Sequence, residues 1–144
     1  MLIDCPAGIE QGFKNAIAGA DRAIVVTTPE VSAVRDADRI IGLLQHHAIP
    51  AALLVNRLSH KMVEAGEMMS QEDVMDILAI DLLGVVVEDQ GIVVAGNQGI
   101  PAVLNDDSPA GQAYLRIARR ILGERVAIPV FEEKKGFFAK IFGV

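Results

Sequence analysis

Three short apolar runs without polar alternation are spaced along the chain, and they predict strands of one sheet. They are AIVVTT at 23–28, AALLV at 51–55 and LLGVVV at 82–87. Strands lack the alternation of a half-exposed sheet when helices cover both of their faces. A shorter apolar run, residues 1–3, stands directly before Asp4 and predicts the end of a further strand, cut in half by the start of the chain.

Each of three helical patterns between and after these runs has its own start signal. The candidate N-caps are Thr28, Ser70 and Ser108. Pro29 and Pro109 suit a first helical position, and Asp73 can complete a capping box with Ser70. Gly123 follows the third pattern, where a left-handed residue commonly ends a helix. We therefore expect three helices with well-defined ends.

Apolar residues at helical spacing predict which side of each helix faces the sheet. In the first helix they are Val31, Val34, Ile41 and Leu44. In the second they are Val74, Ile77 and Leu78. In the third they are Tyr114, Ile117, Ala118, Ile121 and Leu122. Strands that alternate with helices predict an α/β fold with a mostly parallel sheet between two helical layers.

Composition and charge narrow the class of protein. The chain has 144 residues, of which 51% are hydrophobic and 22% charged, as expected for one globular domain. A net charge of -6 argues against nucleic acid as a partner, because its phosphates would be repelled. The single cysteine cannot form an internal disulfide, and the sequence has neither a secretory signal nor an apolar run of membrane-spanning length. We expect a reducing, cytoplasmic location.

Polar residues at the predicted strand ends are the candidates for ligand binding, because open α/β sheets bind ligands at this edge. Asp4 could hold magnesium through water, and Gly8 would let the backbone approach a phosphate and donate its N–H. A simple strand-ending turn explains the same two residues. The amide of Asn56 can pair with a base edge as donor and acceptor, although an asparagine that caps a strand end is an equal explanation.

Several longer segments together resemble a known family. They are IDCPAGIEQGFKNAIAGADRAIVVTTPEVSAVRDADRIIGLL, VNRLSH, DLLGVVVEDQGIVVAGNQGIPAV, ARRILGE and KKGFFAKIFG. They are similar to the carboxy-terminal half of the MinD-type bacterial division-site ATPases, of the deviant P-loop class. DCPAGIE in combination with TTPEVSAVRDADR is specific to this family, and the basic aromatic tail distinguishes it from plasmid-partitioning relatives. The resemblance covers nearly the whole chain.

The resemblance implies a three-layer, doubly wound, mostly parallel sheet of the P-loop NTPase type, with a carboxy-terminal amphipathic helix and with its amino-terminal portion missing. It divides the chain into the ATPase part at 1–128, a spacer at 129–133 and a membrane-targeting helix at 134–144. The sequence contains no G-K-S or G-K-T of a phosphate-binding loop. On the order of one hundred further residues are expected before Met1, from about 30 residues for each missing βαβ unit. We therefore expect the isolated chain to be inactive as an ATP hydrolase.

The resemblance assigns roles to individual residues and implies ATP and magnesium as cofactors of the intact protein. Asp4 corresponds to the second switch and contacts the magnesium shell through water, and Gly8 faces the γ-phosphate. The residues on the adenine side are Asn56, Arg57, Glu88 and Asp89. Val87 stands where relatives commonly carry proline or alanine, which puts the backbone contacts of that loop in doubt.

Partners are implied in the same way. The first long helix carries four charged or polar residues, Ser32, Arg35, Asp36 and Arg39. In the family this helix contributes to the surface that binds the division inhibitor MinC and the topological-specificity factor MinE or an equivalent, whereas a solvated charged face explains the pattern equally well. The family also implies an ATP-dependent homodimer, anionic membrane lipid and no nucleic acid, with the protein cytoplasmic and peripheral on the inner face of the cell membrane.

The tail predicts an amphipathic membrane anchor. Its candidate membrane residues are Lys135, Phe137, Phe138, Lys140, Ile141 and Phe142. At about 100° per residue the four apolar side chains form one arc of a helix. Ten or eleven residues span about 16 Å, too little for a hydrocarbon core of about 30 Å, so this helix would lie in the interface. A terminal helix docked on its own domain is the alternative.

Function classes other than this ATPase stay open at the level of sequence. The segment could be a membrane-anchored docking module without catalysis of its own, or part of a partitioning or flagellar-number ATPase. A glycine-rich loop ending in Lys-Thr upstream of Met1 would separate an enzyme from a docking module. The basic aromatic tail argues against the partitioning and flagellar relatives.

Overall fold

The centre of the molecule is a parallel sheet of three strands, seen in a computed structural model that describes residues 1–6, 8 and 11–129. The strands are β1 (Ala23–Thr27), β2 (Ala51–Leu58) and β3 (Asp81–Val87), and they lie side by side in chain order. Both neighbouring pairs run parallel. The predicted α/β fold with three short parallel strands is confirmed.

Six helices accompany these strands in the described part of the chain. They are α1 (Gln11–Ile17), α2 (Val31–His46), α3 (His60–Glu64), α4 (Gln71–Leu78), α5 (Gln90–Gln98) and α6 (Pro109–Ile121). A short 3-10 turn, Ala102–Leu104, connects the last two. Among the helices described, none is long and apolar enough to cross a membrane.

Side chains of β2 alternate between two apolar layers, because successive residues of a strand point to opposite faces. Leu53 and Val55 are fully buried in the larger layer, which α2 and α4 cover. Leu54 lies in the smaller layer with Val86 of β3, and α6 covers that layer. Helices therefore pack on both faces of β2 and β3, as the uniformly apolar runs predict.

Most predicted helix ends are confirmed. Ser70 and Asp73 form a complete capping box at the start of α4. Ser108 caps α6 by accepting a hydrogen bond from the backbone N–H of Gly111, and Gly123 follows the helix with a φ of 92°. The prediction for α2 is wrong: the helix begins at Val31, after Glu30 as N-cap, and Pro29 is buried in the loop before it.

The predicted inner faces of the helices need correction. Val31 in α2 and Ile77 in α4 are exposed, and Ala37 joins the buried face of α2 instead. In α6 the buried residues are Ala110, Gly111, Ala113 and Ile117, whereas Tyr114 is half-buried and Ala118, Ile121 and Leu122 are exposed. The buried face of α6 differs from the predicted one because Arg120, not Ile121, faces the sheet. Nη1 of Arg120 donates to the carbonyl oxygen of Leu83 at 3.1 Å.

One side of β1 stays uncovered by the described residues. The side chains of Ile24 and Val26 are 38% and 58% exposed, so the predicted burial of both faces is wrong for this strand. Residues 1–3 are exposed and belong to no strand, contrary to the predicted strand end. The physical reason is that no helix among the described residues covers this face of β1: the layer under α6 contains residues of β2 and β3 and none of β1. At its edge, β1 pairs only with β2 among the residues that the structure describes.

Candidate functional site

A β-bulge interrupts β2 near the carboxyl edge of the sheet, where Asn56 and Arg57 lie. Val55 pairs with Val85 and Leu58 with Val87, so β2 contains one residue more than β3 across this interval. Arg57 has a φ of 59°, in the left-handed region. That conformation costs a residue other than glycine about 1–2 kcal/mol. Strain of this kind clusters at ligand-binding sites, because the surrounding structure must hold it in place.

The amide of Asn56 is held through its oxygen. Oδ1 accepts a hydrogen bond from the backbone N–H of Arg57 at 3.0 Å, and the hydroxyl of Tyr114 donates to the same oxygen at 3.4 Å. The amide nitrogen, Nδ2, has no hydrogen-bond partner within the described residues. Two donors of a half-buried side chain are thus available to a ligand at this edge.

An ion pair joins the ends of β2 and β3. Nη2 of Arg57 lies 3.8 Å from Oε1 of Glu88, and the backbone N–H of Glu88 donates to the carbonyl oxygen of Leu58 at 2.9 Å. Both side chains are about half exposed or more, so solvent weakens the attraction and the pair contributes little to stability. The structure therefore brings together three of the four residues predicted for the adenine side: Asn56, Arg57 and Glu88.

Asp89, the fourth of these residues, uses its carboxylate within the chain. One oxygen accepts from the backbone N–H of Gly91 at 2.7 Å and so caps α5. The other accepts from the hydroxyl of Ser108 at 2.7 Å and the backbone N–H of Ala110 at 3.3 Å. The hydrogen bond from Ser108, helped by the one from Gly91, lowers the pKa of Asp89 against the opposing effect of burial. Its side chain ties α5 to α6 beside the Asn56 edge.

A cavity of about 360 Å³ lies against the same edge of the sheet. Arg57 and Glu88 form part of its wall, together with Glu30 before α2. Met62 and Met68 supply apolar surface. Flexible methionine side chains adapt to the shape of an occupant, so the cavity offers an adjustable apolar wall beside charged groups.

Asp4 and Gly8 stay predictions with respect to their roles. Asp4 is exposed and, among the described residues, makes no hydrogen bond or ion pair. It does not end a strand, so the geometric premise for its placement at the sheet edge is absent from the described part of the chain. Gly8 has a φ of 92°, which a residue with a side chain would rarely adopt. That backbone conformation is compatible with a turn that approaches a phosphate.

The partner and membrane residues differ in how far the structure describes them. Ser32, Arg35, Asp36 and Arg39 are all exposed on α2. Oδ1 of Asp36 and Nη1 of Arg39 lie 3.6 Å apart in an ion pair whose side chains are at least 70% exposed. The predicted membrane residues lie outside the described residues: Lys135, Phe137, Phe138, Lys140, Ile141 and Phe142.

Tyr114 belongs to this site and was not predicted there. The sequence placed it only in the apolar stripe of a helix, and its hydroxyl contacts a residue 58 positions away. Local spacing carries no signal for such a contact. The only indication available is chemical: a tyrosine in an apolar stripe usually directs its hydroxyl to a polar partner.

Several known proteins that are similar to this chain share one name. No family model matches the chain. The septum site-determining protein MinD of Bacillus subtilis is 53% identical over 150 residues, an alignment that covers 100% of this chain and 56% of the relative. The chain spans about half the length of the curated relatives that it matches.

Solved structures point the same way. A chain of the MinC:MinD cell division protein complex of Aquifex aeolicus is 43% identical, with a TM-score of 0.83 over 90% of this chain and 54% of that one. The septum site-determining protein MinD of Pyrococcus horikoshii, complexed with Mg-ADP, is 29% identical, with a TM-score of 0.72 over 82% of this chain and 48% of that one.

Proposed function

Because the chain belongs to the MinD family of septum site-determining proteins, we propose that the intact protein binds and hydrolyses ATP in order to select the division site. The observation that carries this proposal is the carboxyl edge of β2 and β3. There the amide nitrogen of Asn56, which has no hydrogen-bond partner in the described part of the chain, lies beside the ion pair of Arg57 with Glu88. Hydrogen-bond donors and an adjacent polar wall are suited to the edge of a purine base.

Adenine would bind at this edge, and Asn56 would donate to an acceptor atom of the base. The phosphates would lie toward Gly8, whose backbone conformation permits a close approach. Asp4 would hold the water shell of a magnesium ion, as oxygen ligands commonly do. Magnesium supplies charge neutralisation for the phosphates when it is bound. A MinD complexed with Mg-ADP supports this choice of cofactor.

The nucleotide would control attachment to the membrane. The tail at 134–144 carries four large apolar residues and lysines. One such tail would bind an anionic bilayer weakly, because a short helix realises only part of the free energy of burying its side chains and must be ordered. An ATP-dependent dimer carries two tails, and the second inserts at high effective concentration. The protein would then alternate between the cytoplasm and the inner face of the membrane.

The exposed face of α2 is the proposed docking surface for regulators. Ser32, Arg35, Asp36 and Arg39 present both signs of charge to solvent, and exposed charges favour rapid and selective encounter with a complementary partner. The occupants would be the division inhibitor MinC and the specificity factor MinE or an equivalent. The MinC:MinD complex of a relative supports MinC as one of them.

The proposal is tested by ATP turnover in the intact protein with magnesium, before and after Asp4→Ala. We expect wild-type turnover, and a loss of about tenfold or more in the variant, because an interaction with the reacting phosphates is removed. Asp21→Ala, which removes an exposed carboxylate elsewhere, is the matched control and should keep wild-type turnover.

Two results would contradict the proposal. One is the absence of magnesium-dependent turnover in the wild-type intact protein; turnover by residues 1–144 alone, which contain no phosphate-binding loop of the G-K-S or G-K-T type, would contradict the expectation that this part is inactive by itself. The other is unaltered turnover in Asp4→Ala together with a lowered thermal midpoint, which would make Asp4 a structural turn residue.

A further inference from the structure

We propose that Tyr114 is a positioning residue for nucleotide recognition: its hydroxyl holds the amide of Asn56 so that the amide nitrogen donates to the base. The inference rests on the proposed nucleotide site. It concerns a residue on α6, a helix that contributes none of the residues predicted for that site. The orientation of the amide determines whether the base atom that it contacts is a hydrogen-bond acceptor or a donor.

The orientation of the amide is set by a backbone group. The N–H of Arg57 is a donor and lies 3.0 Å from Oδ1 of Asn56, so the atom facing it must be the oxygen. An amide rotated by half a turn would place two donors against each other. The bulge that holds Arg57 at a φ of 59° brings this N–H to the side chain of the preceding residue.

The hydroxyl of Tyr114 completes the coordination of the same oxygen. A carbonyl oxygen accepts two hydrogen bonds, and Arg57 and Tyr114 together supply two donors. The oxygen is then engaged, and only the two hydrogens of Nδ2 remain for a ligand. Asn56 would therefore recognise an acceptor, such as a ring nitrogen of adenine, and not a donor such as the exocyclic amino group.

Packing holds the tyrosine hydroxyl in place. The ring of Tyr114 packs against the apolar layer that contains Leu54 and Val86. Asp89 accepts from Ser108 at the start of α6, and Arg120 donates to the carbonyl oxygen of Leu83 near its end. With both ends of α6 fixed to the sheet region, the hydroxyl is pre-organised. At 3.4 Å its hydrogen bond is long, so its main effect is on orientation and its effect on stability is small.

The test compares two ligands in the intact protein: Mg·ATP, and inorganic tripolyphosphate, which has no base. Tyr114→Phe keeps the ring and removes the hydroxyl. We expect its affinity for Mg·ATP to fall by about threefold to tenfold, the range for loss of one hydrogen bond. Affinity for tripolyphosphate should not change. A structural role alone would lower both affinities together.

Two further variants address Asn56 itself. In an Asn56→Ala background, Tyr114→Phe should cause no additional loss, because the hydroxyl acts only through that amide. Asn56→Asp keeps an oxygen for Arg57 and Tyr114 and replaces the amino group with a second acceptor. It should bind Mg·ATP no better than Asn56→Ala does.

Ser70→Ala is the control, since it removes a hydroxyl that caps α4, a helix that packs against the other apolar layer and not against Tyr114. It should lower the thermal midpoint and leave the ratio of the two affinities unchanged. Three results would overturn the inference: equal losses for both ligands in Tyr114→Phe, no loss at all in that variant, or full ATP affinity in Asn56→Asp. The proposed function would still stand in each case, provided that the wild-type protein binds ATP. A wild-type protein that binds no ATP would overturn both.

Discussion

Gly84 of β3 has no side chain, and this allows α6 to approach the strand closely. A Cβ placed there would lie 2.5 Å from Cγ1 of Ile117 and 3.1 Å from Nη1 of Arg120. The layer between sheet and helix is close-packed, so a larger residue would push α6 outward. Apolar periodicity does not reveal such a contact, because neither a glycine in a strand nor an arginine in a helix adds to a hydrophobic stripe. The predicted inner face of α6 was wrong for this reason.

Gly84→Ala should lower the free energy of unfolding of the intact protein by about 1–3 kcal/mol, the usual cost of overpacking a core. Gly42→Ala is the matched control: it lies in the interior of α2, and a Cβ there meets no atom within 4 Å. That variant should gain up to about 1 kcal/mol from better helix propensity. Urea denaturation measures both. Equal stability of the two variants would contradict the close approach.

Asp89 gives a prediction about pH. Its pKa is lowered in the folded chain, first by the hydrogen bond from Ser108 and then by that from Gly91. A carboxyl with a lowered folded pKa stabilises the fold above its unfolded pKa of about 3.9, and this contribution is lost as pH falls through the folded value. Asp89→Asn should therefore be less stable than wild type at pH 7, and the difference should shrink below about pH 4.

Urea denaturation at several pH values between 7 and 3 would measure that difference. Asp76→Asn, an exposed change on α4, is the control and should show little difference from wild type at any of these values. A stability difference for Asp89→Asn that stays constant down to pH 3 would rule out the linkage.

At the scale of elements, the sequence correctly predicted those helix ends that depend on hydrogen bonds between residues close together in the chain. The capping box of α4 and the serine cap of α6 involve residues three positions apart, and both are confirmed. The start of α2 was misplaced because Pro29 is buried by tertiary packing, which overrides its preference for a first helical turn. α5 was not predicted: QGIVVAGNQ contains two glycines, and none of its residues is buried within the described structure.

The tail gives the prediction at this scale. Deletion of 134–144 from the intact protein should abolish co-sedimentation with anionic vesicles and leave ATP binding intact, because the proposed anchor is separate from the nucleotide edge. Phe137→Asp, inside the apolar arc, should weaken sedimentation strongly. Ala139→Asp lies about 200° from Phe137 on a helical wheel and should have a small effect. Unchanged sedimentation after the deletion would refute the anchor.

At the scale of the whole molecule, the sequence predicted the sheet and most of the site edge. Asn56 could be placed at this edge because parallel strands end at a common edge, and the resemblance added Arg57 and Glu88. The bulge, the left-handed Arg57 and the contact with Tyr114 could not, since they depend on pairing between residues far apart in the chain. The open side of β1 could not be predicted either: its apolar run indicates burial, and Ile24 and Val26 are nevertheless exposed among the described residues.

Amide hydrogen exchange of the intact protein, with and without Mg·ATP, tests the central claim most directly. We expect slower exchange in 56–60 and 88–92. A nucleotide bound to Asn56 would stabilise the hydrogen bond that the Arg57 N–H donates to the Asn56 side chain. Segments 17–22 and 46–50, which line a separate cavity and serve as the internal control, should not change. Protection at 17–22 and 46–50 without protection at 56–60 and 88–92 would place the nucleotide elsewhere and contradict the account.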